Sequence, residues 1–302
     1  MLKVAIIGLG DIAKKAYLPV LSSRKEIEFH ICTRNENNLR DFTAKYRFQH
    51  SHATIESLLL AKPDCAFVNT ATDAHYHIVK MLLQNGIHVY VDKPITMHYN
   101  LSKELVDLAD VNRLTLMVGF NRRYAPVYRN LKELANPSMI ILQKNRTKLP
   151  DDLRRFVVED FIHVVDTLRF LFPYPIANLL VNGMKRGDLL HHLTIQLIAP
   201  TGQTAIGIMN RDSGATEEKL EIMCETEKRV VFNVSEMEIQ KDKTTLKVTE
   251  SDWQSNLFKR GFDQMIDDFL EAVRNKTTPA ITAQDALLTH QLCETIVERL
   301  SV

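Results

Sequence analysis

The sequence predicts an α/β chain: a doubly wound parallel sheet, followed by an α+β domain with a large, mostly antiparallel sheet. Three observations predict it. Apolar runs alternate with helical stripes over the first 120 residues, a glycine-rich turn closes the first run, and beyond that point strands follow one another across short turns. Alternation implies parallel strands, because parallel neighbours need a long crossover, whereas consecutive strands with tight turns pair antiparallel.

In the first half, strands are expected at Val4–Ile7, Ile27–Cys32, Cys65–Asn69, His88–Val91 and Thr115–Val118. Helices fill the intervals, notably Asp73–Asn85 and Asn100–Asn112. Ile78, Val79, Leu82 and Leu83 make the apolar stripe of the former, Gly86 is its stop signal, and Asn100 reads as the N-cap of the latter. The rhythm then changes. Helices at Tyr124–Ala135 and Asp160–Phe172 flank a strand at Met139–Lys144. Strands at Ile176–Met184, Leu190–Ile198, Thr204–Asn210, Lys219–Cys224 and Val230–Val234 follow, separated by turns such as Pro200-Thr201-Gly202 and Asp212-Ser213-Gly214. Helices at Phe262–Arg274 and Ala283–Leu300 close the chain. The expected domains are 1–120, binding a dinucleotide, and 121–302, binding substrate and mediating oligomerisation, with the final helices able to pack back on the first. Arg146–Arg155 reads as a mobile loop over the crevice.

Composition sets the outer limits. The 302 residues are 45% hydrophobic and 25% charged, enough for two cores. A formal charge of +1, with basic and acidic residues interspersed, implies neither nucleic acid nor an anionic membrane as partner. Met1-Leu2-Lys3 runs straight into a strand and no apolar stretch approaches membrane-spanning length, so a cytoplasmic protein is expected. Cys32, Cys65, Cys224 and Cys293 lack C-x-x-C spacing and fit reduced thiols better than disulfides or zinc.

Two motifs carry the chemistry. Gly8-Leu9-Gly10-Asp11-Ile12-Ala13 follows the first strand. Gly8 suits the tight turn, Gly10 lets backbone approach a pyrophosphate, and the helix beginning at Ile12 offers its N-terminal N–H groups to phosphate. Asp92-Lys93-Pro94 ends a later strand, and motifs at the carboxyl ends of parallel strands open onto one crevice. The second strand ends Cys32-Thr33-Arg34-Asn35 with no acid until Glu36. An acid there would bind the ribose 2′-OH of NAD; a hydroxyl with a guanidinium suits the 2′-phosphate of NADP, so NADP is preferred and NAD is the alternative.

Together with Thr70-Ala71-Thr72-Asp73-Ala74-His75, Gly119-Phe120-Asn121-Arg122-Arg123-Tyr124 and His163-Val164-Val165-Asp166, these motifs resemble the Gfo/Idh/MocA oxidoreductase family over essentially the whole chain. The similarity is greatest to its MviM-like subgroup of virulence-factor homologues. The resemblance implies Lys93 near the nicotinamide and the substrate hydroxyl, Asp92 contributing beside it, Pro94 fixing the turn and His75 on the cofactor side. Gly8, Gly10, Asp11, Ile12, Thr33, Arg34, Thr70, Ala71, His75, Asp92, Lys93 and Asn121 are expected about the cofactor. Lys93, Arg122, Tyr124, Asp160, His163 and Asp166 fall about the substrate. The resemblance also implies dimers through the open face of the second sheet. Where many members carry an aspartate four residues before the histidine, this chain has Glu159, with Asp160 next to it, and Phe161 replaces a frequent glycine.

Moving hydride at a carbinol or carbonyl carbon needs a base or an acid at the oxygen, and histidine, with an ordinary pKa of about 6.5, can serve as either. If the helix from Asp160 faces the crevice, Glu159 or Asp160, His163 and Asp166 lie on neighbouring turns, so that Lys93 polarises the oxygen, His163 exchanges the proton, and a carboxylate from Glu159 or Asp160 orients the imidazole. Each has a plainer reading. Asp166 can pair with Arg169, and Arg122 and Arg123 can clamp a substrate anion or be structural. His75 and His77 lack a third ligand at metal-binding spacing, and no metal is expected. Two functions stay open: an NAD(P)-dependent dehydrogenase or reductase acting on the CH–OH or carbonyl group of a small, sugar-like or polyol-like metabolite, and a non-catalytic dinucleotide-sensing protein.

Overall fold

The computed structural model describes residues 1–301. The chain divides into two compact units. Met1–Gly119 and Phe262–Leu288 form one, and Phe120–Gly261 with the chain from Thr289 onward forms the other.

The first unit is built on six strands: β1 (Leu2–Ile7), β2 (Ile27–Cys32), β3 (His50–His52), β4 (Cys65–Val68), β5 (His88–Val91) and β6 (Leu116–Val118). Their order is β3-β2-β1-β4-β5-β6, and every neighbouring pair is parallel. The chain moves outward from β1 to β2 on one side and returns to β4 on the other. The carboxyl ends of β1 and β4 therefore form the switch point at which open α/β sheets bind ligands. Near-continuous apolar sequence in β1 and β4 fits strands covered on both faces, and Val4–Ile7 and Cys65–Val68 are buried.

Helices Glu36–Tyr46 and Ile55–Leu60 begin on side-chain caps, with Asn35 accepting from the Asn38 N–H and Thr54 from the Ser57 N–H. Helix Phe262–Asn275 lies far along the chain but buries Met265, Ile266, Phe269 and Leu270. Phe269 meets Phe67 edge-on at 5.2 Å and Tyr90 at 5.6 Å, which seats this helix on the parallel sheet. The helix expected from Asn100 begins at Tyr99, with His98 at the cap position, so Asn100 lies inside the first turn rather than before it. Pro19 falls inside the first helical run without an N–H to give, and the turn before it, Ala13–Tyr17, is wound as π-helix.

The second unit holds a nine-stranded sheet. Its strands are β7 (Met139–Asn145), β8 (Asp151–Asp152), β9 (Asn178–Arg186), β10 (Leu189–Ile198), β11 (Thr204–Asn210), β12 (Glu217–Met223), β13 (Lys228–Phe232), β14 (Glu236–Lys241) and β15 (Thr244–Thr249). The order is β15-β14-β13-β12-β7-β11-β10-β8, with β9 also paired to β10, and only the central β7–β11 pair is parallel. One face is covered by the helical run Leu153–Leu171. Gly207 permits the close approach, because a Cβ there would lie 2.8 Å from Val164 Cγ1. The other face presents Ile141, Ile206 and Ile208 half-exposed.

Two expectations change here. Arg146–Arg155 is not a free loop: Asp151–Asp152 pairs with Leu189 and Leu190, and Arg154 bonds Glu294 at 2.8 and 2.6 Å. The helix expected from Asp160 starts earlier, and Phe156–Phe161 is wound as π-helix before Ile162–Leu171 continues as α-helix. The wider turn breaks the 3.6-residue spacing that would have stacked Asp160 and His163 on one face. Among the described residues no helix is long and apolar enough to cross a membrane.

Candidate functional site

A cavity of about 680 Å³ opens at the carboxyl ends of β1, β2 and β4. The glycine turn forms its floor. Gly8 has φ +87° and donates its N–H to the Cys32 carbonyl at 2.9 Å. A Cβ on Gly8 would stand 2.7 Å from the Thr70 nitrogen, so only glycine lets the turn pack against the end of β4. Gly10 differs: a Cβ there would meet nothing within 4 Å and would project into open space. Asn38 donates its side-chain amide to the Leu9 carbonyl at 3.1 Å, fixing the neighbouring helix against the turn.

Two polar residues at the switch point have no protein partner for their buried atoms. Asn69 lines the cavity with both amide atoms buried and unpaired, and the buried Thr70 hydroxyl is likewise unpaired. Buried polar groups are nearly always hydrogen-bonded, so this pair fits a polar ligand seated over the glycine turn. At the far side Thr33 and Arg34 line the same cavity. Thr33 Oγ1 accepts from the Asn35 N–H at 3.3 Å, and Arg34 is exposed. Of the other cofactor-side candidates in this unit, Ala71 lines the cavity. Asp11 is exposed and pairs with Lys15 at 2.8 Å, and Ile12 is half-buried at the helix start. The residues present fit a dinucleotide: an open position over Gly10, unsatisfied donors and acceptors at the strand ends, and a hydroxyl with a guanidinium on one wall.

The end of β5 is held from beneath. Tyr17 donates to Asp92 Oδ1 at 2.7 Å, its oxygen lies 2.9 Å from that of Tyr90, and Tyr90 donates to Met265 Sδ at 3.2 Å. Burial, reinforced by the charge on Asp92, pushes the Tyr17 phenol well above its ordinary pKa, so it stays a donor. Gly119 makes room, since a Cβ there would be 2.5 Å from the Tyr90 oxygen. Lys93 follows Asp92, is half-buried, and joins Pro94 through a cis peptide. His75 is buried between the two loops, with Nδ1 2.9 Å from the Pro94 carbonyl and Nε2 3.1 Å from the Thr70 carbonyl. It ties the loop after β4 to the loop carrying Lys93.

In the second unit the remaining candidates form a dense polar cluster. Arg122 grips Glu218 through two parallel hydrogen bonds of 2.7 and 2.6 Å, and Tyr128 donates to the same carboxylate at 3.0 Å. Burial alone would raise Glu218, but Arg122 outweighs it and holds the carboxyl at about 2. The third Arg122 nitrogen lies 2.7 Å from His163 Nδ1. A guanidinium can only donate, so Nδ1 is the acceptor and the neutral ring carries its proton on Nε2. Asp160 is bound by Lys144 and lies 3.4 Å from Arg146. Burial works against its charge, yet Lys144 and then Arg146 keep it below the usual carboxylate range. Lys144 is itself pulled down to about 7, by burial first, with Asp160 opposing.

The structure brings Arg122 to His163 and places Asp160 on Lys144 and Arg146. Asp166 accepts from Arg123 at 2.6 Å and from Thr289 at 2.9 Å, while Arg169 reaches Thr289 at 2.8 Å. Asn121 donates to the Arg260 carbonyl at 2.9 Å, Tyr124 is buried beneath Arg129, and Glu159 is half-buried in the π-helical turn. Sequence reasoning missed Asn69, Lys144 and Glu218. Asn69 stands directly before the Thr70-Ala71 motif and could have been found by position. Lys144 and Glu218 lie on β7 and β12, whose register pairs them, and nothing local in sequence announces that.

Residues 2–120 match a family described as an oxidoreductase family with an NAD-binding Rossmann fold, and residues 126–242 match a YceM-like C-terminal domain. The chain is 31% identical to YceM of Salmonella typhimurium, named as an inferred oxidoreductase, over 98% of this chain and 97% of that one. The crystal structure of the dehydrogenase MviM from Clostridium difficile superposes with a TM-score of 0.94 at 30% identity, covering 99% of each chain. An inositol 2-dehydrogenase/D-chiro-inositol 3-dehydrogenase of Lactiplantibacillus plantarum is 24% identical over 68% of this chain and 63% of its own. With an NAD-binding Rossmann unit at its start and full-length likeness to YceM and MviM, the chain belongs to the Gfo/Idh/MocA oxidoreductase family.

Proposed function

We propose that the protein is an NADP-preferring dehydrogenase or reductase acting on the CH–OH or carbonyl group of a small sugar-like or polyol-like metabolite. The observation that carries this reading is the cavity over Gly8 and Gly10, with the unpaired Asn69 and Thr70 groups on its floor and Thr33 with Arg34 on its wall. Thr33 and Arg34 are a phosphate-receiving pair, which is the basis for preferring NADP. A bound nicotinamide supplies the acceptor or donor for hydride.

The chain's own residues have the following roles in this proposal. Lys93 polarises the reacting oxygen and exchanges its proton. Asp92, held by Tyr17, sets the position of that lysine. His163, whose Nδ1 accepts from Arg122, is held beside that guanidinium and serves to orient the substrate rather than to remove its proton. Arg122, Lys144, Asp160 and Glu218 make the second unit's cluster polar, as a substrate rich in hydroxyls requires. The inositol dehydrogenase likeness supports the same class of substrate. The half-exposed isoleucines on the outer face of the second sheet support a homodimer, and the four unpaired cysteines are compatible with work in the cytoplasm.

The test is single-turnover oxidation of NADPH against a panel of aldoses, ketoses and inosose-type ketones, with Lys93→Ala as control. Consumption by a carbonyl in the parent, and its loss in the variant, supports the enzyme. Tight NADPH binding with no carbonyl reduced would establish the dinucleotide-sensing alternative.

A further inference from the structure

Glu28, His30 and His50 bring one ligand atom each to within 4.8 Å of one another on a single face of the first unit's sheet. Strand register sets this up. β2 and β3 run parallel with His30 opposite His50 and Cys32 opposite His52, and side chains two apart on a strand share a face, which adds Glu28. His30 Nε2 lies 2.9 Å from Glu28 Oε1, and His50 Nε2 lies 3.7 Å from the same oxygen. The two imidazole rings are stacked, with centroids 4.5 Å apart and planes 10° from parallel.

We propose that Glu28, His30 and His50 form a binding site for one divalent cation of the zinc class, which clasps the edge strand β3 to β2. Two imidazole nitrogens and one carboxylate oxygen form a borderline donor set that suits zinc or cobalt and does not suit calcium or magnesium, which take oxygen ligands. With bonds of about 2.0–2.1 Å, tetrahedral ligand atoms lie about 3.3 Å apart, and the two separations from Glu28 Oε1, 2.9 and 3.7 Å, fall on either side of that value. The rings lie nearly parallel, so the exposed His50 side chain must turn about its own bonds to bring its in-plane lone pair to the same ion. His30 is buried, Glu28 half-buried and His50 exposed, so two ligands are fixed by the sheet while the third leaves an entry path and a fourth position for water.

The surroundings supply what a ligating histidine needs at its other nitrogen. His30 Nδ1 lies 3.1 Å from His52 Nε2, and His52 Nδ1 lies 3.0 Å from Ser57 Oγ. A cation on His30 Nε2 puts that ring's proton on Nδ1, which donates to His52 Nε2. His52 then donates from its own Nδ1 to the Ser57 hydroxyl. Both of these donors meet an acceptor and each of the two rings has one tautomer, the arrangement by which neighbouring groups orient a metal ligand. The consequence is structural. β3 has only three residues, His50–His52, and lies at the sheet edge, where short strands hold weakly. The strand it is clasped to ends at Cys32, which lines the nucleotide cavity beside Thr33 and Arg34.

The experiment is a titration of the chelator-treated, full-length protein with Co²⁺, followed by displacement with Zn²⁺. One equivalent of Co²⁺ is expected to produce visible d–d bands that Zn²⁺ abolishes, and His30→Ala and His50→Ala are each expected to weaken binding at least about tenfold. His50 is exposed, so His50→Ala and Glu28→Gln decide the matter if His30→Ala does not fold. Absence of saturable one-equivalent binding, or unchanged Co²⁺ affinity in both His50→Ala and Glu28→Gln, overturns the site. NADPH binding, measured alongside, reports separately on the nucleotide cavity.

Discussion

Tyr17 donates its phenolic hydrogen to Asp92 Oδ1 across 2.7 Å, so the residue preceding Lys93 is anchored from the buried side of the parallel sheet. Tyr17→Phe removes that donor and keeps the ring. Leaving a part-buried carboxylate short of a hydrogen bond costs about 1–3 kcal/mol, so a lower melting temperature is expected. If Asp92 positions Lys93, kcat falls while the Kd for NADPH stays within about twofold. Unchanged kcat with the same loss of stability would make the pair purely architectural.

Two glycines should fail in different ways. An alanine Cβ at Gly119 would lie 2.5 Å from the Tyr90 oxygen and 3.0 Å from that of Tyr17, both on fully buried rings. Overpacking of this kind costs about 1–3 kcal/mol, and thermal denaturation should show it. At Gly10 the Cβ meets nothing, so Gly10→Ala should leave stability near the parent's and weaken NADPH binding by roughly tenfold or more, where backbone must approach the pyrophosphate. Equal melting temperatures for both variants would contradict this assignment of the two positions.

Arg34 is expected to separate the two cofactors. A charged hydrogen bond to a 2′-phosphate contributes about 1.5–3 kcal/mol, which is roughly a tenfold to hundredfold change in affinity. Arg34→Ala should weaken NADPH by that factor and leave NADH within about threefold. Fluorescence titration with both nucleotides checks it, and a parallel loss of both would remove the argument for NADP.

How much of this was legible in the sequence depends on where each residue's partner lies. Gly8, Gly10 and Lys93 could be read directly, because turn geometry and strand-end placement are local properties. β3 could not, since His50-Ser51-His52 has no apolar alternation and becomes a strand only by pairing with β2. β15 escaped for a similar reason: most of Thr244–Thr249 is exposed and its pairing with β14 is what defines it. The expected alignment of Asp160 with His163 assumed a regular period, and with a π-helical turn at Phe156–Phe161 Asp160 meets Lys144 while Arg122 reaches His163. Long-range ion pairs such as Arg122, on the 3-10 turn Asn121–Tyr124, with Glu218 on β12 are set by tertiary packing, which single-sequence patterns do not specify.

Lys144 should make stability depend on alkaline pH. Burial lowers its folded pKa to about 7 from the ordinary 10.5, so the unfolded chain binds that proton more tightly. Between those values the unfolded state carries more protons, and stability rises with pH across the window. Lys144→Met should flatten this rise in denaturant midpoints measured from pH 7 upward. A slope identical to the parent's would show that the pair with Asp160 keeps its proton throughout.

Glu218 predicts the acid limb. Its folded pKa of about 2 lies below the ordinary 4.5, because Arg122 outweighs the opposing effect of burial. A depressed carboxylate stabilises the fold fully above its unfolded value and loses that contribution as pH falls through its folded one. The window therefore runs from about 4.5 down to about 2, and at about 1.4 kcal/mol per unit the contribution is roughly 3 kcal/mol. Glu218→Gln should be less stable at neutral pH, because it leaves the buried Arg122 without its anion. It should also lose less further stability on acidification than the parent does. Urea melts of the two proteins between pH 5 and the acid limit give the comparison directly, and parallel acid limbs would mean that Arg122 does not set the ionisation of this carboxylate.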